Sequence, residues 1–224
     1  MAAGRGFADE HDPRRLIESK TLYEGRIWNV VSDTFSLTGD DGDVLVRDYI
    51  SHPGAVAIVA LDDQGRVLLL KQYRQPAGMS LWEVPAGLLD IEGEDFVAAA
   101  ARELAEEADL TAGRWDVLVD FFNSPGSSSE AIRIYLAREI AEVPEDQRHT
   151  RTEEEAEIEH LWVDLEEAAA AVMEGRVHNP SAVAGILAAA HAARSGFTGL
   201  RPGDAPWPEH PSQRSHRTAA EAGR

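Results

Sequence analysis

The sequence predicts an α+β or α/β sandwich, in which a β-sheet packs against helices. Strand-like runs occupy the first part of the chain, one amphipathic helix interrupts them, and two helices follow the last strand. This order of elements is typical of layered folds that contain both strands and helices. With 224 residues, 43% of them hydrophobic, the chain is long enough for one compact domain with tails.

Strands are predicted in the first part of the chain from runs of β-branched and aromatic residues that end at turn clusters or at a proline. The predicted strands cover residues 27–37, 44–50, 54–61, 66–73 and 81–84. The turn cluster Thr38–Asp43 separates the first two, which are expected to pair as a hairpin. A second turn signal of the same kind, Asp62–Gly65, separates the third and fourth.

A change of period predicts a helix over residues 94–108. Apolar side chains recur there at steps of three and four residues, at Val97, Ala100, Ala101, Leu104 and Ala108. Strands are predicted again at residues 114–122, 131–140 and 160–163, and helices at 165–174 and 181–194. The last helix has a start signal in Asn179-Pro180-Ser181.

Composition excludes several classes of function. The chain has no cysteine, so disulfides and thiolate metal sites are excluded. Its net charge of −19 argues against sequence-independent nucleic-acid binding, which needs Lys and Arg facing phosphates. The longest apolar run, residues 55–61, is too short to span a bilayer, and the N-terminus lacks the apolar stretch of a secretory signal. We therefore expect a cytoplasmic protein that binds neither membranes nor nucleic acid.

The composition also divides the chain into four segments. We expect residues 1–15 and 201–224 to be disordered tails, because they are largely polar and show no periodicity. Between them, residues 16–52 are expected to form an N-terminal β-region, and residues 53–200 are expected to form the main domain.

Three glutamates share one face of the helix predicted over residues 94–108. Glu103 lies three residues from Glu106 and four from Glu107, a spacing that brings side chains together on a helix. Like charges at this spacing repel by about 0.2–0.5 kcal/mol per pair. A hard divalent cation prefers oxygen ligands, so a metal site would explain why three carboxylates are clustered despite their repulsion. The alternative is a solvated acidic face, which these residues taken alone would favour.

The residues around this helix resemble the Nudix box. They comprise Gly87, Glu94, the run Arg102-Glu103-Leu104-Ala105-Glu106-Glu107, and the terminal aliphatic residue Leu110. The family pattern is G-x5-E-x7-R-E-U-x-E-E-x-G-U, where U is aliphatic. One extra residue lies between Gly87 and Glu94, which a loop can accommodate. Asp109 replaces the second Gly of the pattern, and we expect it to end the helix in a left-handed conformation.

This resemblance implies a Nudix-type α/β/α sandwich with a mixed β-sheet, and a hydrolase that acts on nucleoside diphosphates linked to another group. It also implies that Mg²⁺ or Mn²⁺ is the cofactor. The implied metal ligands are the carbonyl of Ala86 and the carboxylates of Glu103, Glu106 and Glu107. Arg102 would orient a ligating carboxylate, and Glu94 would take a supporting role beside it.

Further residues are similar to the ADP-ribose pyrophosphatase subgroup. Downstream of the box, Pro125 begins a Gly- and Ser-rich turn that ends at Glu130, a candidate for substrate contact. An ordinary turn between two strands would also contain Ser-Pro-Gly. Arg74 ends a Gln-Tyr-Arg motif of this subgroup, where its forked donors suit the diphosphate or the terminal ribose.

In that subgroup the N-terminal region forms a small sheet exchanged between two subunits, and the partner helps to hold the adenine. The resemblance therefore implies a homodimer in which Trp28 stacks on the base and Arg47 donates hydrogen bonds. Trp28 is alternatively a half-buried aromatic residue of a strand.

A second acidic cluster, Glu153-Glu154-Glu155-Ala156-Glu157, precedes the last predicted strand. Composition alone indicates a solvated loop. In ADP-ribose pyrophosphatases this loop carries the general base. Position relative to the following strand favours Glu155 as the base, with Glu154 next and Glu157 as a further metal ligand.

Together these resemblances imply Mg²⁺-dependent hydrolysis of ADP-ribose to AMP and ribose 5-phosphate. Two alternatives stay open: a Nudix hydrolase of another nucleoside diphosphate sugar, and a catalytically silent Nudix-like nucleotide-binding module. The intact run from Arg102 to Glu107 argues against the silent module, because such modules commonly lose these residues.

Overall fold

The computed structural model describes residues 7–39, 42–150 and 158–213. Within those ranges the chain forms eleven strands, three α-helices and a short 3-10 helix at Glu145–Gln147. The strands are β1 (Arg15–Glu24), β2 (Asn29–Ser36), β3 (Val44–Ser51), β4 (Ala55–Ala60), β5 (Arg66–Arg74), β6 (Met79–Glu83), β7 (Ala86–Leu88), β8 (Leu110–Phe122), β9 (Ala131–Glu142), β10 (Glu159–Asp164) and β11 (Arg201–Pro202). The helices are α1 (Phe96–Ala108), α2 (Leu165–Met173) and α3 (Pro180–Ala193).

The strands assemble into three sheets. A five-stranded sheet has the order β11-β8-β9-β4-β7. It is mixed, because β4 runs parallel to β9 while the other neighbouring pairs are antiparallel. The second sheet has the order β10-β5-β6, and the third has the order β1-β2-β3. The hairpin predicted on either side of Thr38–Asp43 is confirmed as β2 and β3, with Val30 opposite Ile50.

Helices cover both faces of the five-stranded sheet, so the predicted sandwich is confirmed. Successive side chains of a strand point to opposite faces. In β4, Val56 and Ile58 belong to the core cluster that includes Leu104 of α1. Ala57 and Val59 belong to the other cluster, which includes residues of α2 and α3. The apolar stripe of α1 therefore sets the rotation of this helix about its axis, and with it the direction of its glutamate face.

Aspartates stand at both ends of α1. The Asp95 carboxylate accepts hydrogen bonds from the backbone N–H groups of Val97 and Ala98, which caps the N-terminus. At the other end, Asp109 has φ 55° and ψ 35°, and its N–H donates to the Ala105 carbonyl at 3.1 Å. The predicted left-handed end of the helix is therefore confirmed. Aspartate tolerates this conformation better than most residues do.

The N-terminal sheet contains a strand that the sequence pattern does not predict. β1 pairs with β2 in antiparallel orientation, although all ten of its residues are exposed. A strand exposed along its whole length needs no alternation of polar and apolar side chains, so the usual signal is missing. Residues 7–14, the described part of the expected N-terminal tail, form no helix or strand.

The turn signal at Asp62–Gly65 does not close an ordinary hairpin. β4 and β5, which it joins, belong to different sheets. An isolated bridge links Leu61 to Val67 at the point where the strands diverge. The turn therefore carries the chain from the five-stranded sheet to the neighbouring three-stranded sheet.

The C-terminal segment differs from the expected disordered tail. Arg201–Pro202 pair with β8, and Trp207 is only 3% exposed. The Trp207 ring packs edge-on to Phe96 at 5.2 Å, and the Arg133 guanidinium lies 4.7 Å from the same ring. A single buried aromatic residue can dock a segment on the domain without producing a periodic pattern in the sequence. The polar, aperiodic composition therefore suggested a disordered tail. Residues 214–224 lie outside the described residues.

The described helices are short, and the longest, α3, has 14 residues. Among them none is long and apolar enough to cross a membrane. The cytoplasmic location stays a prediction.

Candidate active site

The glutamate face of α1 lies against the backbone of β7. The Glu107 carboxylate accepts a hydrogen bond from the Ala86 N–H at 2.9 Å. Glu103 packs on the next residue, because a Cβ added at Gly87 would overlap its carboxylate group. Glu103 and Glu107 are therefore held on the dipeptide Ala86–Gly87. The carbonyl of Ala86 is the predicted backbone ligand of the metal.

Glycine at position 87 gives α1 room to approach the strand. Gly87 pairs with Val56 in the ladder between β7 and β4, which fixes its backbone in the sheet. Any side chain at this position would occupy the space of the Glu103 carboxylate. The first glycine of the sequence motif therefore has a steric role.

Arg102 supplies positive charge to the glutamate face. Its Nε and Nη2 atoms donate to the Glu94 carboxylate at 3.1 Å each. Its Nη1 atom donates to Glu103 and, at 3.3 Å, to Glu106. One guanidinium thus links the loop before α1 with two glutamates of the helix, a geometry suited to orienting carboxylates.

Burial dominates the electrostatics of Glu103. Burial raises the pKa of this carboxyl, and the negative charges of Glu106 and Asp90 raise it further. The charge and the hydrogen bond of Arg102 lower the pKa but do not cancel the effect of burial. At Glu94, by contrast, the hydrogen bond from Arg102 lowers the pKa. The charged form of the Glu103 carboxyl is therefore less stable at this buried position than it would be in water. A divalent cation beside it would stabilise the charged form.

The donor set fits a hard divalent cation. Carboxylates and a backbone carbonyl are the oxygen ligands that Mg²⁺ prefers. Glu103 and Glu107 already lie on the backbone of Ala86–Gly87. Within the described residues, no group of three or more Asp, Glu or His side chains is arranged to hold a metal ion. The Glu106 carboxylate, the third predicted glutamate ligand, accepts a hydrogen bond from Arg102 at 3.3 Å.

His160 has no role predicted from the sequence, yet its Nε2 atom lies 2.8 Å from the backbone carbonyl of Glu107. Carbonyls in the last turn of a helix lack intrahelical partners, and a protonated Nε2 would donate to this one. The contact joins β10 to the end of α1. Residue spacing could not reveal it, because the partner is a backbone atom far away in sequence.

Arg74 ends β5 and forms a bidentate ion pair with Glu83, which ends β6. Arg74 Nε donates to one oxygen of Glu83 at 2.8 Å, and Nη2 donates to the other at 2.7 Å. Glu83 is only 3% exposed, and the sequence pattern did not single it out. A buried carboxylate requires such a partner, so this pair is part of the hairpin's architecture.

The turn before Glu130 lies at the junction of the N-terminal sheet and the main domain. The Ile50 N–H at the end of β3 donates to the Ser127 carbonyl at 2.9 Å. The Glu130 carboxylate accepts a hydrogen bond from Asn123 at 2.7 Å and lies 3.7 Å from Nε2 of His52. Glu130 is therefore held by polar side chains on both sides of this junction.

Trp28 and Arg47 lie in the N-terminal sheet. Trp28 lies directly before β2 and is 39% exposed. Its carbonyl accepts a hydrogen bond from the Gly25 N–H. Arg47 is exposed on β3 and donates to the Val46 carbonyl at 2.8 Å. These contacts stay within the sheet and do not connect either side chain to the glutamate face of α1.

Glu154, Glu155 and Glu157 lie outside the described residues, so their roles stay predictions. The chain re-enters the described part at the start of β10, where Glu159 pairs with Lys71 of β5. Strand β5 ends at Arg74, three residues after Lys71. The described residues of β10 therefore lie beside the strand that carries this arginine.

Comparisons with known proteins identify relatives of the chain. A model of the NUDIX domain matches residues 51–182. The chain is 43% identical over 210 residues to the ADP-ribose pyrophosphatase of Mycobacterium tuberculosis (strain ATCC 25618 / H37Rv), a match that covers 94% of this chain and 98% of that protein. It is 32% identical over 154 residues to the ADP-ribose pyrophosphatase of Bacillus subtilis (strain 168), covering 69% of this chain and 80% of that protein. A crystal structure of an ADP compounds hydrolase matches with a TM-score of 0.64 and 18% identity, covers 84% of this chain and 98% of that chain, and shows a shared fold.

We predict that Gly87→Ala weakens divalent-metal binding about 10–100-fold, the usual cost of disturbing residues that orient metal ligands. The added methyl group would displace the Glu103 carboxylate from the backbone of β7. The measurement is the shift of the thermal unfolding midpoint during titration with MgCl₂ or MnCl₂. Gly42→Ala is the matched control, because a Cβ there meets nothing within 4 Å. A folded Gly87→Ala variant with an unchanged titration would contradict this contact.

Proposed function

The chain belongs to the Nudix hydrolase family, and we propose that it hydrolyses ADP-ribose to AMP and ribose 5-phosphate. The observation that carries the proposal is the placement of Glu103 and Glu107 on the backbone of Ala86–Gly87. The 43% identity to an ADP-ribose pyrophosphatase, over 94% of the chain, supports this choice of substrate. The reaction needs no macromolecular partner, since the substrate is a small nucleotide.

We propose Mg²⁺, or Mn²⁺ in its place, as the divalent cofactor. The proposed ligands are the carbonyl of Ala86 and the carboxylates of Glu103, Glu106, Glu107 and Glu157. When bound, such a cation neutralises the diphosphate and lowers the pKa of a coordinated water. Arg102 keeps the Glu103 carboxylate oriented, and the two hydrogen bonds from Arg102 to Glu94 fix the guanidinium in turn.

Arg74 and Glu130 are the proposed substrate contacts of the main domain. The planar guanidinium of Arg74 matches the geometry of phosphate oxygens. Glu130 is an acceptor for ribose hydroxyls, held in place by Asn123. We assign the adenine to Trp28, which offers an exposed ring for stacking, and to Arg47, which offers N–H donors. Both would come from a second copy of the chain, as the resemblance to the ADP-ribose pyrophosphatase subgroup implies.

Glu155 is the proposed general base. It would accept the proton of the attacking water while that water forms a bond to phosphorus and the bond to the leaving phosphate oxygen breaks. The assignment is supported by β10, which begins four residues after Glu155 and pairs with the strand that ends at Arg74. Glu154 is the alternative base in the same loop.

A homodimer is proposed from the exposed apolar surface of the N-terminal sheet and its loops. The large apolar side chains exposed there are Leu16, Ile17, Leu22, Tyr23, Ile27, Trp28, Leu37, Val44 and Val46. None of the described residues of this sheet belongs to either core cluster. Monomers rarely expose so many large apolar side chains together, and β1 also presents an open strand edge. A second copy of the sheet would cover both features.

We predict that the chain sediments as a dimer and that the double variant Leu22→Asp/Val46→Asp sediments as a monomer, because the new charges would be buried at the interface. Met173→Asp on α2 is the control, since Met173 is equally apolar and 77% exposed but lies outside this sheet. Sedimentation velocity measures the mass. A monomeric wild-type protein, or a double variant that stays dimeric, would exclude this interface.

A phosphate-release assay tests the proposed activity. We predict that the wild-type protein with Mg²⁺ and a coupled phosphatase turns over ADP-ribose faster than other nucleoside diphosphate sugars. Glu107→Gln should lose about 10²-fold or more of this turnover, because it removes a charged ligand of the cation that neutralises the diphosphate. Glu174→Gln is the control, since Glu174 forms an exposed ion pair with Arg176 directly after the end of α2. Faster turnover of another nucleotide sugar would indicate a Nudix hydrolase with that substrate. Absence of turnover with every sugar tested would indicate a catalytically silent nucleotide-binding module.

We predict that Glu155→Gln retains metal binding but loses kcat by about 10²–10⁴-fold, as expected when a general base is removed. Glu154→Gln is the matched variant from the same loop and should keep most of its turnover. Steady-state kinetics and the metal-dependent thermal shift are measured for both. Wild-type kcat in Glu155→Gln, or a larger loss in Glu154→Gln, would assign the base to another residue.

A further inference from the structure

We propose that Glu83 is a positioning residue that holds the Arg74 guanidinium in the orientation that binds the substrate diphosphate. The inference rests on the proposed function, in which Arg74 contacts the substrate. Nothing in the sequence motif assigns a role to Glu83, since it lies upstream of the first glycine of the box. The geometry of the pair points to this role.

The two partners differ in their access to solvent. The side chain of Glu83 is 4% exposed, whereas that of Arg74 is 44% exposed. The carboxylate is therefore the fixed, buried member, and the guanidinium is the member that reaches the surface. A buried carboxylate that is paired through both oxygens is costly to move, because either oxygen would lose a charged hydrogen bond.

The bidentate contact fixes the plane of the guanidinium. Nε and Nη2 of Arg74 each donate one hydrogen bond to Glu83, at 2.8 and 2.7 Å. An arginine has five N–H donors in one plane, so three more project from other edges of that plane. Once Glu83 fixes the orientation of the plane, the directions of those three donors are also fixed. Binding a phosphate then costs less side-chain entropy than it would with a freely rotating arginine.

The pair also connects Arg74 to the metal-binding backbone. Glu83 lies opposite Leu70 in the hairpin of β5 and β6. Three residues further on, Ala86 provides the N–H that binds Glu107. The intervening Pro85 is anchored by a hydrogen bond from the Ile58 N–H to its carbonyl at 2.8 Å. The diphosphate-binding arginine and the proposed metal ligands are thus held on adjoining parts of one backbone segment.

A second arginine–carboxylate pair in the chain serves as a control. Arg66 contacts one oxygen of the Asp62 carboxylate through two atoms, Nε at 2.8 Å and Nη2 at 2.7 Å. This pair closes the turn between β4 and β5 and has no proposed substrate contact. A variant that breaks this pair shows how the loss of an arginine–carboxylate contact away from the site affects the kinetic constants through the fold.

The experiment compares Glu83→Gln with Asp62→Asn in the full-length protein, using ADP-ribose and saturating Mg²⁺. In Glu83→Gln an NH₂ donor replaces one acceptor oxygen, so the amide cannot accept both hydrogen bonds from Arg74. We expect KM to rise about tenfold with kcat nearly unchanged, the pattern of lost binding common to ground and transition states. Asp62→Asn should change neither constant. Glu83→Asp provides a second variant that keeps the buried charge but moves it, and it should also raise KM.

Arg74→Lys completes the test, because lysine keeps the charge but not the fork. If positioning is the role of Glu83, Arg74→Lys raises KM, and the double variant Glu83→Gln/Arg74→Lys raises it no further. An increased KM in Arg74→Lys with unchanged KM in both Glu83 variants would overturn the inference while leaving the proposed function intact. An unchanged KM in Arg74→Lys would remove the substrate role of Arg74 and the inference with it. Absence of ADP-ribose hydrolysis by the wild-type protein would instead refute the proposed function.

Discussion

The carboxylates of Glu103 and Glu107 lie on the Ala86–Gly87 dipeptide because α1 approaches β7 closely, and the candidate site is built on this contact. The approach requires a residue without a side chain at position 87. It also requires that α1 cannot rotate about its axis, which the packing of Leu104 and its neighbours against the sheet ensures. The glutamates, which would repel one another on an isolated helix, are thereby brought to the backbone of β7. Their carboxylates and the Ala86 carbonyl together provide several oxygen ligands for a cation.

The surrounding polar contacts all reduce the freedom of this face. Arg102 joins the loop before the helix to Glu103 and Glu106, His160 contacts the carbonyl of Glu107, and Asp109 ends the helix in a left-handed conformation. Two of the partners, Glu94 in the loop before α1 and His160 in β10, lie outside the helix, so the orientation of the carboxylates does not depend on helix propensity alone. Such support matters in a chain with a net charge of −19, because little positive charge is available to hold acidic side chains together.

The features that the sequence predicted correctly are local in the chain. The strands β2 and β3, helix α1 and its end at Asp109 follow from period, turn residues and capping preferences over a few residues. The features it did not predict depend on partners that a local pattern cannot contain. Glu83 was missed because its partner lies across a hairpin, and His160 because its partner is a backbone carbonyl. The docked segment around Trp207 was missed because one buried aromatic ring leaves no periodic signal.

The anomalous difference density of manganese, in a crystal of the protein grown with MnCl₂, tests whether the carboxylates held on Ala86–Gly87 bind a divalent cation. We predict a peak within bonding distance of the Ala86 carbonyl and the carboxylates of Glu103 and Glu107, with Arg102 still in contact with Glu94. A well-ordered crystal in which these carboxylates keep their contacts with β7 while manganese binds elsewhere, or not at all, would contradict it.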